Sequence, residues 1–172
     1  MKLFGTDGIR GKAGSAPLVP DTVARVGAAL VKAFGDTSQH RFVIGRDTRE
    51  SGAWIEDELA RGLTSEGATV VSSGVVPTPA IAYLARTEGF DAGIVISASH
   101  NPYEDNGIKV FGGAGTKLTE HLEASVERLV ADPSWSVPPA PGRIERRDLS
   151  GHYVQHLLEI MKTAGPLAGS RI

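Results

Sequence analysis

Ala92-Gly93-Ile94-Val95-Ile96, a run of small and apolar residues, leads into Ser97-Ala98-Ser99-His100-Asn101-Pro102. A short apolar run that ends at a turn signal, here Asn101-Pro102, reads as a buried strand. In α/β proteins ligands gather at the carboxyl ends of such strands. There this chain sets two serines, a histidine and an asparagine. Asp105-Asn106-Gly107-Ile108-Lys109 follows, so a lysine returns ten positions after Ser99. A hydroxyl, an imidazole and an ammonium collected at one strand end point to chemistry on a phosphate.

Outward from this point the pattern alternates. Upstream, Leu3 to Lys12 reads as a glycine-punctuated loop, followed by a helix capped by Asp21 with Val23, Val26, Leu30 and Phe34 at helical spacing. Arg41 to Gly45 reads as a strand, Ala53 to Ser65 as a helix and Ala68 to Ser72 as a second strand. Thr78-Pro79 starts a helix with Thr78 as N-cap and Pro79 in the first turn. Downstream, Ile108 to Phe111 is a short fourth strand and Thr119 begins a helix through Val130. Pro133 to Pro141 is proline-rich and reads as extended. Leu149 to Lys162 is a last helix with Tyr153, Leu157, Ile160 and Met161 inward. Strands alternating with helices predict an α/β fold, a mostly parallel sheet covered on both faces. Gly165 to Ile172 reads as a turn and the opening of a further strand.

The chain has 172 residues, enough for one ordinary domain with an appendage, and a 41% apolar content that supplies its core. The net charge of −2 argues against a nucleic-acid or anionic-membrane partner, which calls for a basic surface. The chain has no cysteine, which excludes disulfides, thiolate metal sites and a cysteine nucleophile. Met1-Lys2-Leu3-Phe4-Gly5 is not the start of a signal peptide, and no apolar run is long enough for a bilayer. These features predict a soluble, cytoplasmic protein.

Each candidate residue has a plain reading beside the chemical one. Ser99 is the candidate nucleophile; a serine hydroxyl needs a base, a metal or an electrophilic phosphorus to react. A Ser-His-Asp hydrolase is disfavoured, because neighbours such as Ser99 and His100 rarely present both side chains to one point and the G-x-S-x-G elbow is missing. His100 is either a hydrogen-bonded loop residue or part of a site, and Asn101 is first a turn residue. Lys109 is either an edge charge or a phosphate and proton-transfer group. Arg10, between Ile9 and Gly11, is either a surface arginine or a phosphate fork. Arg46, Asp47 and Arg49 read as an Arg–Asp arrangement that pins a loop, and Asp7 orients Arg10 or a neighbouring loop. His40, His121, His152 and His156 lack ligand spacing, and no cluster of aspartates that holds a magnesium ion alone is visible.

Three segments carry a resemblance: FGTDGIRG at Phe4 to Gly11, GRDTRESG at Gly45 to Gly52, and ISASHNPYEDNGIKVFGGAGTKL at Ile96 to Leu118, with VVPTPAIAYL at Val75 to Leu84 in support. In this order they resemble the α-D-phosphohexomutase superfamily across nearly the whole chain. The FGTDGIRG opening favours the branch acting on glucosamine phosphate over those acting on mannose or glucose phosphates. The resemblance implies a three-layer α/β/α sandwich with a mixed four-stranded sheet. It implies that residues 1–146 are a phosphoserine-bearing first domain and that 147–172 are a connector helix and the start of a second domain.

By the same resemblance Ser99 carries the phosphoryl group and Arg10, His100 and Lys109 stand beside it in catalysis. Arg10, Asn101 and Lys109 bind phosphate. The phosphate on Ser99 is one ligand of a Mg2+ ion whose other ligands belong to later domains. The implied reaction interconverts 6- and 1-phosphates of a hexosamine through a hexose bisphosphate. The implied partners are the hexosamine phosphate and the remaining domains, without which the chain is expected to be inactive. The alternatives are a phosphomannomutase or phosphoglucomutase, or a non-catalytic binding module that keeps the domain and has lost the reaction.

Overall fold

Ala92–Ile96 is a strand with all five residues buried. A computed structural model, which describes residues 2–35 and 39–164, places it inside a mixed six-stranded sheet. In chain order the elements are β1 (Ile9–Lys12), α1 (Pro20–Phe34), β2 (Arg41–Arg46), α2 (Gly52–Ser65), β3 (Thr69–Val75), α3 (Thr78–Thr87), β4 (Ala92–Ile96), β5 (Asp105–Gly112), α4 (Glu120–Ala131), β6 (Glu145–Arg146) and α5 (Ser150–Ala164). The sheet order is β1-β5-β4-β2-β3-β6. β4, β2, β3 and β6 run parallel, whereas β5 is antiparallel to both β4 and β1.

The alternation of side chains along the strands sorts the core into two layers. Phe42, Ile44, Ile94 and Ile96 point to one face, where α1, α2 and α4 cover them with Leu30, Leu59, Leu63 and Val126. Val43, Val71 and Val95 point to the other, beneath Ile81 and Leu84 of α3 and Leu149 before α5. α3 lies close on the sheet because Gly45 and Gly93 offer no side chain: a Cβ on either would stand 2.6–2.7 Å from Ile81. The result is the expected α/β/α sandwich.

The strand count exceeds the expected four. β1 falls inside the segment read as loop, where Arg10, Gly11 and Lys12 give no apolar alternation, yet Ile9 pairs with Ile108 and Arg10 with Gly107. β6 is two charged residues held against Val71 and Ser72. Two caps also differ. α1 has Val19 at its N-cap with Pro20 in the first turn, so Asp21 is a first-turn acid rather than the cap. α3 has Pro77 at the N-cap and Thr78 inside the helix. Thr119 does cap α4, its hydroxyl accepting from the Leu122 amide at 3.3 Å.

α5 is the largest departure. Tyr153 packs against Tyr83 at 5.8 Å between rings, but Leu157, Ile160 and Met161, expected inward, are exposed. α3 is the element α5 packs against most closely, and no layer among the described residues covers the apolar side that carries Leu157, Ile160 and Met161. The expected strand start in Gly165 to Ile172 lies outside the described residues. No described helix is long and apolar enough to cross a membrane.

Candidate functional site

β4 ends at Ile96, and the chain leaves the sheet through Ser97. The Ser97 N–H donates to the Gly107 carbonyl at 3.0 Å, which keeps the serine loop tied to the first residues of β5. Ser99 then adopts φ 57°, the one positive φ of a non-glycine residue among the described residues. That left-handed conformation costs an L-residue about 1–2 kcal/mol, and such strain concentrates at functional sites. It is held locally by the Ser99 N–H, which donates to Ser97 Oγ at 3.1 Å. The Ser99 side chain is exposed, with Oγ 3.3 Å from Nδ1 of His100. The two neighbours thus do meet, contrary to the sequence expectation, because the left-handed turn at Ser99 interrupts the alternation of an extended chain.

Arg49, in the loop after β2, organises this turn. The Asp47 N–H donates to the Ile96 carbonyl at 3.0 Å, and the Asp47 carboxylate accepts from the Arg49 amide and from Arg49 Nε, both at 3.0 Å. The guanidinium then reaches across. Nη2 donates to the carbonyls of Ser99 at 3.1 Å and Asn101 at 2.9 Å, and Nη1 to those of Asp105 at 3.0 Å and of Pro102. The pinning role read from Asp47 and Arg49 is present, and it acts on the serine loop itself. Asn106, fully buried, adds a second tie: its amide donates to Ser51 Oγ at 2.9 Å and its carbonyl oxygen accepts from the Gly107 N–H at 2.8 Å.

Arg10 and Lys109 come from the antiparallel pair β1 and β5 and share one carboxylate. Asp7 Oδ2 stands 3.0 Å from Arg10 Nη2 and 3.6 Å from Lys109 Nζ. The Arg10 Nε is shielded from solvent and has no hydrogen-bond partner. Arg10 lies opposite Gly107, where a Cβ would stand 2.7 Å from the Ser97 carbonyl oxygen, 3.0 Å from that of Ile9 and 3.2 Å from Arg10 Cγ. Gly107 is therefore the point at which the serine loop and the Arg10 strand close on each other.

The structure thus joins Ser99 with His100 and Arg10 with Lys109, and Gly107 connects the two pairs. Asn101 is turned to the loop instead, its side-chain amide donating to Asp105 Oδ2 at 3.0 Å. Sequence reasoning named Gly107 beside Lys109 but missed its role as the closing point of two strands, and it missed the reach of Arg49; a glycine at the start of a strand was the available signal. His152 pairs with Glu88 at 2.6 Å, and His156 stacks on Tyr83 with centroids 4.3 Å apart, both away from the serine loop.

Among the described residues, no group of three or more His, Cys, Asp and Glu side chains converges as a metal site. Three aspartates near the loop are engaged: Asp47 with Arg49, Asp105 with Asn101, and Asp7 with Arg10 and Lys109. These residues do not by themselves form a divalent-cation site.

Comparison with known proteins agrees with this fold. The family model for the phosphoglucomutase/phosphomannomutase α/β/α domain I matches residues 1–136. The phosphoglucosamine mutase of Pseudomonas fluorescens strain Pf0-1 is 47% identical over 173 residues, which is 99% of this chain and 39% of that protein. The phosphoglucosamine mutase of Ectopseudomonas mendocina is 50% identical over 156 residues, covering 90% of this chain and 35% of that one. A solved phosphoglucomutase/phosphomannomutase family protein from Burkholderia thailandensis superposes with a TM-score of 0.74 at 29% identity, over 92% of this chain and 35% of its own. The chain spans between 35% and 39% of the length of these relatives. By sequence and by fold, the chain belongs to the phosphoglucomutase/phosphomannomutase family, of which it carries the α/β/α domain I.

Proposed function

We propose that this chain is the phosphoserine-bearing first domain, residues 1–146 with a connector in 147–172, of a cytoplasmic phosphoglucosamine mutase. The full-length enzyme would interconvert glucosamine 6-phosphate and glucosamine 1-phosphate. One observation carries the reading: an exposed Ser99 held in a left-handed turn beside His100, in a loop tied through Gly107 to the strand pair that presents Arg10 and Lys109. The identity of 47–50% to phosphoglucosamine mutases supports this substrate over mannose or glucose phosphates.

The residues divide the work by their chemistry. In the forward step the P–O bond to Ser99 breaks and a bond forms from phosphorus to a sugar hydroxyl, giving a hexosamine bisphosphate. The sugar hydroxyl loses its proton to a general base, the role this reading gives to Lys109; the departing Ser99 oxygen takes up a proton, for which His100 stands at 3.3 Å. Arg10 neutralises charge spread over the phosphoryl oxygens in flight. Its Nη2 meets Asp7 at 3.0 Å, which places the guanidinium beside Lys109 on the same carboxylate. The second phosphate of the bisphosphate then returns to Ser99 by the same bond changes in reverse. A Mg2+ ion in the full-length enzyme would be held by the phosphate on Ser99 together with ligands outside this chain, and it would offset negative charge on the phosphoryl oxygens.

The test is turnover of glucosamine 6-phosphate by the full-length enzyme and its Ser99→Ala variant. The reading expects activity that the substitution removes by several orders of magnitude. Equal turnover by the two proteins contradicts it.

A further inference from the structure

Arg49 is nine-tenths buried, and every N–H of its guanidinium is spoken for. Nε donates to Asp47; Nη1 donates to Pro102 and Asp105; Nη2 donates to Ser99 and Asn101. An arginine has five such N–H donors in a fixed planar fork. None remains for a phosphate. Arg49 therefore differs in kind from Arg10, whose Nε is unmatched.

The four accepted carbonyls span residues 99 to 105, the whole excursion from the end of β4 to the start of β5. They converge on one plane only if the loop curls back on itself, which is the curl that the left-handed Ser99 produces. The anchor at the other end is firm, because Asp47 is itself bonded to the last residue of β4 through Ile96. We propose that Arg49 is a positioning residue for phosphoryl transfer. It fixes the direction of Ser99 Oγ by gathering the loop carbonyls on its guanidinium, and it makes no contact with the sugar phosphate.

This rests on the reading that Ser99 carries the phosphoryl group, but the loop geometry can be tested without it. Lysine offers three donors from a single point, not a plane, so Arg49→Lys keeps the charge and loses the fork. In the full-length enzyme, Arg49→Lys and Arg49→Ala are compared with wild type in three measurements. The first is kcat and KM for glucosamine 6-phosphate. A displacement of the nucleophile on the order of 1 Å is expected to lower kcat on the order of 100-fold, with KM changed by less than about two-fold. The second is rescue: added guanidinium at non-denaturing concentration restores part of the lost kcat to Arg49→Ala, whereas sodium at equal ionic strength does not. The third is amide exchange, expected to accelerate in the 97–107 region of both variants and to stay unchanged in α1, α2 and β2.

Unchanged exchange in 97–107 overturns the proposal, as does an unchanged kcat in an active enzyme. A loss expressed as a rise in KM also overturns it, because that would make Arg49 a substrate ligand. Should Arg49→Ala fail to fold, Arg49→Lys carries the same two readouts. A wild-type enzyme without mutase activity instead refutes the functional reading, and the exchange measurement alone then decides the role of Arg49 in the loop.

Discussion

Gly107→Ala is the perturbation whose consequence follows most directly from the geometry. The new methyl would stand 2.7 Å from the Ser97 carbonyl oxygen and 3.0 Å from that of Ile9, both backbone atoms. The Ser97 oxygen must retreat by about 0.7 Å to reach an ordinary contact of 3.4 Å. It cannot do so freely, because the Ser97 N–H is bonded to Gly107 itself and β1 is paired through Arg10. Overpacking of this kind costs about 1–3 kcal/mol. The lower unfolded-state entropy of alanine offsets about 0.4–1 kcal/mol of that, leaving a net loss of about 1–2 kcal/mol. For a chain of this size the loss corresponds to a fall in Tm of roughly 2–8 °C, read by circular dichroism on heating. The same shift moves Ser97, two residues before Ser99, so kcat of the full-length enzyme is expected to fall on the order of 10- to 100-fold. A variant with wild-type Tm and wild-type kcat would refute the reasoning that the serine loop and the Arg10 strand meet here without spare room.

Three further outcomes are expected. Glu56, 1% exposed, accepts from Ser72 Oγ at 2.5 Å and faces Arg46 at 3.6 Å and Arg146 at 3.4 Å; Glu56→Ala strands Arg46 and is expected to destabilise the chain by about 3 kcal/mol in urea unfolding, a change below about 1 kcal/mol being the contrary result. Hydrogen bonds from the Ser150 hydroxyl and then its backbone N–H hold the Asp148 carboxyl below its ordinary value of 3.8. The support Asp148 gives to the first turn of α5 is thus complete above that value and is lost as pH falls through the lower folded one; the Ser150 amide resonance should titrate with a midpoint below 3.8, and Asp148→Asn should abolish the transition. Lys109→Ala should lower kcat with little change in Tm, since its partner Asp7 is largely exposed and such pairs contribute about 0–1 kcal/mol; unfolding would instead make Lys109 structural.

The parallel part of the fold was legible because its strands are apolar on both faces. Runs such as Val43-Ile44 and Gly93-Ile94-Val95-Ile96 have no other stable setting in a soluble α/β chain. β1 and β6 were not legible, since Arg10, Lys12, Glu145 and Arg146 become strand only by pairing with strands already built. Spacing alone placed Ser99, His100 and Lys109 near one sheet end. It left undetermined that Ser99 is left-handed, because φ at a serine is set by its folded surroundings, which here include the Ser97 hydroxyl on its N–H and Arg49, fifty residues away, on its carbonyl. The inward face assigned to α5 failed for a related reason. Periodicity marks which side of a helix is apolar, but not whether anything in the described residues covers it.

The central claim is that the Ser99 hydroxyl carries a phosphoryl group exchanged with a hexose bisphosphate. Intact-mass measurement on the full-length protein after incubation with glucose 1,6-bisphosphate and Mg2+ tests it most directly. The account predicts a gain of one phosphoryl group, localised by fragmentation to Ser99 and absent from Ser99→Ala. A phosphoryl group of equal occupancy on the Ser99→Ala protein, or none on wild type, would contradict it.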